Sequence, residues 1–171
     1  MSTDQRHEAE FTAFARARMP HLYRAAWLLC GDRHRAEDLV QETLGKVYAH
    51  WGPKIANPAA YAQTTLTRTW ISQQRRASTH ERPTDELPEQ AQHTADDALR
   101  LTLLAALDGL AAKDRAVVVL HYLDDATIAD VARQVGSSEG AVRKRLMRAR
   151  RVLRERLGLS FADLVPERTE S

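Results

Sequence analysis

Between Thr127 and Leu157 the sequence leaves the backbone few courses. Thr127 precedes an apolar series, Ile128, Val131, Ala132 and Val135, at helical spacing, with Asp130 where a capping box would place its acid. Gly136 then interrupts the series, and a left-handed turn residue costs least when it is glycine. Ser137 or Ser138 is suited to cap a second, longer helix, in which Val142, Leu146, Ala149, Leu153 and Leu157 recur at steps of four, three, four and four. The pattern predicts two helices packed through their apolar stripes and joined by a short glycine turn, the helix-turn-helix plan.

The faces of the second helix outside that stripe carry Arg143, Lys144, Arg145, Arg148, Arg150, Arg151, Arg154 and Arg156, opposed only by Glu139 and Glu155. An isolated basic helix is commonly a solvated surface or a coiled-coil flank. Behind a capped helix and a glycine turn it is better suited to the DNA major groove, where arginine donates two parallel hydrogen bonds to guanine and any cation can meet phosphate.

The rest of the chain is also read as helical, so the predicted fold class is all-α. Phe11, Phe14, Ala15, Leu22, Tyr23, Ala26 and Trp27 fall on three- and four-residue steps. A helix is expected from about Arg35 to Trp51, with Leu39, Leu44, Val47, Tyr48 and Trp51 as its stripe and Gly52-Pro53 as its stop. Asn57-Pro58 opens another, because proline suits a first helical turn, and it continues through Tyr61, Leu66 and Trp70 to Arg75-Arg76. Beyond it lie two prolines, many acids and almost nothing apolar, a composition that cannot bury enough surface to offset chain entropy. The expected organisation is a helical body at 1–77, a flexible acidic linker at 78–98, a second body at 99–160 that opens on Leu99, Leu103, Leu107 and Leu110 and continues in an apolar helix from Ala116 to Leu123, and a tail at 161–171.

The net charge of +2 hides an uneven distribution. Lys and Arg outnumber Asp and Glu by 11 to 7 over 1–77 and by 13 to 10 over 99–171, whereas the connector holds 1 against 6. Two basic bodies flanking an acidic connector suit a polyanionic partner as well as plain solvation. No run approaches the roughly 20 apolar residues of a membrane span, and the polar start lacks a signal peptide's apolar core, so a cytoplasmic protein is expected. The single Cys30, in the apolar run Trp27-Leu28-Leu29-Cys30, is expected to be a buried structural thiol. The seven histidines never reach a His-x3-His or HExxH spacing, and neither a phosphate loop nor a nucleophile elbow is present, which argues against an enzyme.

Two segments carry a resemblance. The run Ala36-Glu37-Asp38-Leu39-Val40-Gln41-Glu42-Thr43-Leu44 resembles the polymerase-binding helix of extracytoplasmic-function (ECF) RNA polymerase sigma factors, of the actinobacterial type. Val135 to Arg150 resembles their second DNA-binding helix, and the likeness spans roughly residues 10 to 160 in the family's order. It implies that the first body is sigma region 2, which binds core RNA polymerase and melts the −10 element, and that the second is region 4, which reads the −35 element of promoter DNA.

Carried over by position, Asp38, Gln41 and Glu42 match polymerase-facing residues, where carboxylates and an amide suit arginine-rich helices through charge-assisted bonds; otherwise they are ordinary solvated side chains. Arg143, Lys144, Met147 and Arg148 resemble the −35 contacts and share one helix face. Met147 could touch a thymine methyl or simply be a surface methionine. The family often has an asparagine on the third helix that helps hold a flipped −10 base, and Arg68 stands there, so the family's −10 specificity does not transfer. Arg68, Trp70, Gln73, Arg75 and Arg76 remain suited to an unpaired strand, by stacking, by hydrogen bonds to base edges and by charge, although the default place for Trp70 is the core.

Because sigma factors leave polymerisation chemistry to the core enzyme, the resemblance implies no catalytic residue and no cofactor. Members are frequently held inactive by an anti-sigma factor, so such a partner is expected, with the active protein a monomer and no membrane partner. The rival reading is a conventional helix-turn-helix transcriptional regulator whose N-terminal body senses a ligand or dimerises.

Overall fold

In a computed structural model of the chain, residues 1–78, 95–123 and 125–158 are described. They form seven α-helices and no strand, in two units, 1–72 and 73–171. No helix among the described residues is long and apolar enough to cross a membrane.

The first unit is built on α1 (Thr3–Cys30), α2 (Arg33–Ala49) and α3 (Pro58–Ser78) up to Ser72, the last six residues of α3 falling past the unit boundary. Ser2 and Gln5 form a reciprocal capping box at the start of α1, and Gly31, at φ 69°, closes its end. Pro20 lies inside α1; having no N–H, it removes one rung of the helical ladder. After that two-residue turn, Asp32 caps α2 by accepting from the Arg35 N–H at 2.8 Å, and α1 and α2 pack against each other. Asn57 caps α3 through the Ala60 N–H at 3.1 Å.

The core of this unit holds Leu22, Ala26, Leu29, Leu39, Leu44, Val47, Leu66 and Trp70. At its edge Phe11 and Phe14 meet Trp51 with ring centres 5.2 and 4.9 Å away, and Phe11 meets Tyr48 at 4.8 Å. Tyr48, expected in the buried stripe, is 46% exposed. Cys30 is half-buried rather than fully enclosed.

The second unit contains α4 (Ala95–Asp108), α5 (Ala112–Leu123), α6 (Ile128–Val135) and α7 (Glu139–Leu157). Helix α7 packs on α4, α5 and α6, and α5 packs on α6. Val142, Leu146, Ala149 and Leu153 are buried along α7, facing a core that includes Leu107, Val117, Leu120 and Val131. Each large aliphatic side chain so buried contributes about 1.5–3 kcal/mol. Between α5 and α6, the buried His121 ring lies 3.1 Å from the Ala126 carbonyl through Nδ1.

Helix α4 begins at Ala95, ahead of the expected start at Leu99, and α3 runs on through Ser78. The remainder of the expected linker, 79–94, and the tail at 161–171 lie outside the described residues.

Candidate nucleic-acid and polymerase interfaces

Thr127 caps α6 by accepting from the Asp130 N–H at 3.1 Å. The Asp130 carboxylate bonds the Arg133 guanidinium, and hydrogen bonding to the Thr127 side chain, then Arg133, holds its carboxyl below the usual range. Gly136 takes up the left-handed conformation at φ 67°, ψ 46°, and the Ser137 N–H returns to the Ala132 carbonyl at 2.9 Å. Ser138 then caps α7 by accepting from the Ala141 N–H at 3.1 Å. Of the two serines suited to this cap, Ser138 fills it.

With its stripe turned inward, α7 presents the four expected −35 residues outward. Arg143, Lys144 and Arg148 are exposed, and Met147 is 67% exposed. Arg143 lies 3.6 Å from Glu139 one turn earlier, a surface pair of small energetic weight. Arg143, Met147, Arg150, Arg151 and Arg154, with Glu155, line an open depression of about 510 Å³ along the helix, so a mainly positive face continues toward the C-terminal end.

Three contacts on α7 have no counterpart in the sequence reading. The Asp114 carboxylate, in the first turn of α5, accepts from Arg145 Nη1 at 2.7 Å and lies 3.5 Å from Arg148 Nη2. Arg150 donates to the Tyr122 hydroxyl while its guanidinium lies 5.6 Å from the centre of the same ring. The Arg156 guanidinium rests against Gly109, where a β-carbon would collide with it. Asp114 is 31 and 34 residues from its partners, beyond any local periodicity. Its only local signal was an acid in a first helical turn, where the helix dipole favours one.

On the first unit, Asp38, Gln41 and Glu42 are all exposed on α2, on helical turns whose buried side carries Leu39, Val40, Thr43 and Leu44. Glu42 pairs with Lys46 at 3.0 Å, and Lys46 reaches Thr69 on α3 at 3.1 Å. Gln41 and Val40 face Met19 and Tyr23 of α1 across a partly apolar groove of about 450 Å³.

On α3, Arg68 is exposed between the buried Thr67 and Thr69, Gln73 is half-buried, and Arg75 and Arg76 are exposed in the last turn. Trp70 requires a correction to the expected −10 set. It extends the stripe Ala62, Leu66, Trp70 at four-residue steps and is only 3% exposed, so its ring belongs to the core and leaves no face for an unpaired base.

A capped helix, a left-handed glycine and an outward-facing basic helix define a helix-turn-helix protein, here with a separate helical unit before it. Comparison with known families identifies that unit. Residues 14–80 match sigma-70 region 2, and residues 100–163 match sigma-70 region 4. The RNA polymerase sigma-E factor of Streptomyces coelicolor is 34% identical over 154 residues, 86% of either chain. The ECF RNA polymerase sigma factor SigL of Mycobacterium tuberculosis is 37% identical over 144 residues, covering 78% of this chain and 80% of the relative. Among solved structures, the sigma factor RpoE of Bartonella quintana, in complex with the anti-sigma factor NepR, matches with a TM-score of 0.71 at 28% identity, over 88% of this chain and 98% of that one.

The chain belongs to the sigma-70 family, in its ECF group, and is a transcription initiation factor. Region 2 therefore occupies the place that the rival reading gave to a sensor or dimerisation domain.

Proposed function

We propose that this sigma factor divides promoter recognition between its two bodies. In this reading residues 1–77 bind core RNA polymerase through Asp38, Gln41 and Glu42 and engage the opened −10 strand through Arg68, Gln73, Arg75 and Arg76. Residues 99–160 read the −35 element with Arg143, Lys144, Met147 and Arg148. The observation that carries the reading is the joint exposure of those four side chains on the first turns of a helix whose opposite side is wholly apolar and buried. Arginine there can pair with guanine O6 and N7, and the other cations can neutralise phosphate.

Cooperation between two small reading bodies favours action as a monomer, in the cytoplasm, on core polymerase, which supplies their effective concentration on the promoter. Because the Bartonella relative was solved with an anti-sigma factor, we assign a partner of that class here too. The chemistry of polymerisation stays with the core enzyme. Run-off transcription with purified core polymerase and a library of genomic promoters tests the whole reading. Start-site-specific transcripts that require this chain are expected; their absence from every template would refute it.

A further inference from the structure

Among the four expected −35 residues of α7, Arg148 is the one that forms an ion pair with a described residue of another helix. The Asp114 carboxylate lies 3.5 Å from Arg148 Nη2 and accepts from Arg145 Nη1 through the same oxygen at 2.7 Å. Its side chain is 13% exposed, Arg145's is 26% exposed and Arg148's is 56% exposed. The acid is thus enclosed, one cation half-enclosed, and the other turned largely to solvent.

Two consequences follow for Arg148. A flexible guanidinium must give up side-chain freedom on binding, and a fixed carboxylate behind it removes part of that freedom beforehand. The same carboxylate offsets the cation's charge, which weakens nonspecific capture by phosphate. A base edge, recognised through directed hydrogen bonds, gains from the fixed orientation and loses less from the reduced charge. Among the described residues, Arg143 is paired with the exposed Glu139 of its own helix rather than with an enclosed acid of another.

We infer that Asp114 is a positioning residue for −35 recognition: it holds Arg148 as a reader of bases rather than a holder of phosphate. The inference rests on the assignment of α7 to the −35 element and adds a residue from α5 to it.

The test is holoenzyme transcription from promoters randomised in the −35 element, compared with Asp114→Asn, which keeps the size and removes the charge. The ratio between the preferred element and its single-base variants should fall roughly fivefold at the positions Arg148 reads, the lower end of what one bidentate contact supplies. Binding to the disfavoured elements should meanwhile become more salt-dependent, by about one phosphate contact. In an Arg148→Ala background Asp114→Asn should leave the ratio unchanged.

Arg145→Met separates positioning from support, because it breaks the same α5–α7 tie but keeps Asp114 beside Arg148. It should lower the melting temperature and leave the ratio alone. The inference fails if Asp114→Asn keeps the wild-type ratio, or if Arg145→Met lowers the ratio equally. A wild-type chain that initiates nowhere with core polymerase would instead remove the reading beneath it.

Discussion

Two glycines in the second unit should respond to alanine in the opposite order to their crowding. At Gly136 a new β-carbon meets nothing within 4 Å, yet φ is +67°. An L-residue held in the left-handed region costs about 1–2 kcal/mol, while the stiffer unfolded chain returns about 0.4–1 kcal/mol. Gly136→Ala should therefore destabilise by about 1 kcal/mol, which lowers the melting temperature of a domain this size by about 4–8 °C. Gly136→Asn should recover part of the loss, since asparagine tolerates this conformation.

At Gly109 the β-carbon collides with Arg156, but the obstacle is the far end of an exposed, flexible side chain and the backbone conformation is an ordinary one. Gly109→Ala should stay within about 0.5 kcal/mol of wild type. Circular dichroism follows both units, whereas Trp27, Trp51 and Trp70 all lie in the first, so tryptophan fluorescence reports that unit alone. A lower melting point by circular dichroism, with an unmoved fluorescence transition, assigns the change to the second unit. A loss at Gly109 equal to or larger than that at Gly136 would refute the reasoning.

Replacing Asp38 and Glu42 together with alanine should weaken binding to core polymerase and leave helicity intact, because alanine favours helix; pull-down against core enzyme, with circular dichroism, checks both halves. Arg143→Ala should cost about 1–3 kcal/mol on the preferred −35 element and relax base preference there, whereas Arg154→Ala should weaken all elements alike or none, which a promoter library assayed with holoenzyme distinguishes. Asp130, whose folded pKa is depressed, should contribute fully above its unfolded pKa of about 4 and lose that contribution as pH falls through the lower folded value. Asp130→Asn should accordingly flatten the acid limb of a stability-against-pH profile slightly, the carboxylate being mostly solvated.

The sequence by itself determined the features that depend on a few neighbouring residues. Thr127, Gly136 and the pair Ser137-Ser138 mark helix ends because a side-chain oxygen can reach an N–H three residues on and because glycine alone enters the left-handed region freely, although only the folded backbone chose Ser138 as the cap. The stripe from Val142 to Leu153 named the buried side of α7, and by exclusion the outward position of Arg143, Lys144, Met147 and Arg148. Period and capping could not say which of several compatible residues another helix would claim. Trp70 suited the core by default and stacking as an alternative, and Ala62 and Leu66, which turn its side of α3 inward, decide for the core. Asp114, Tyr122 and Gly109 gained their arginine partners only when α5 and the α4–α5 turn were packed on α7, since residues dozens of positions apart meet through tertiary contact and leave no periodic trace. The direction of a basic helix was therefore local information, while the division of its cations between anchored and unanchored was a property of the packed second unit.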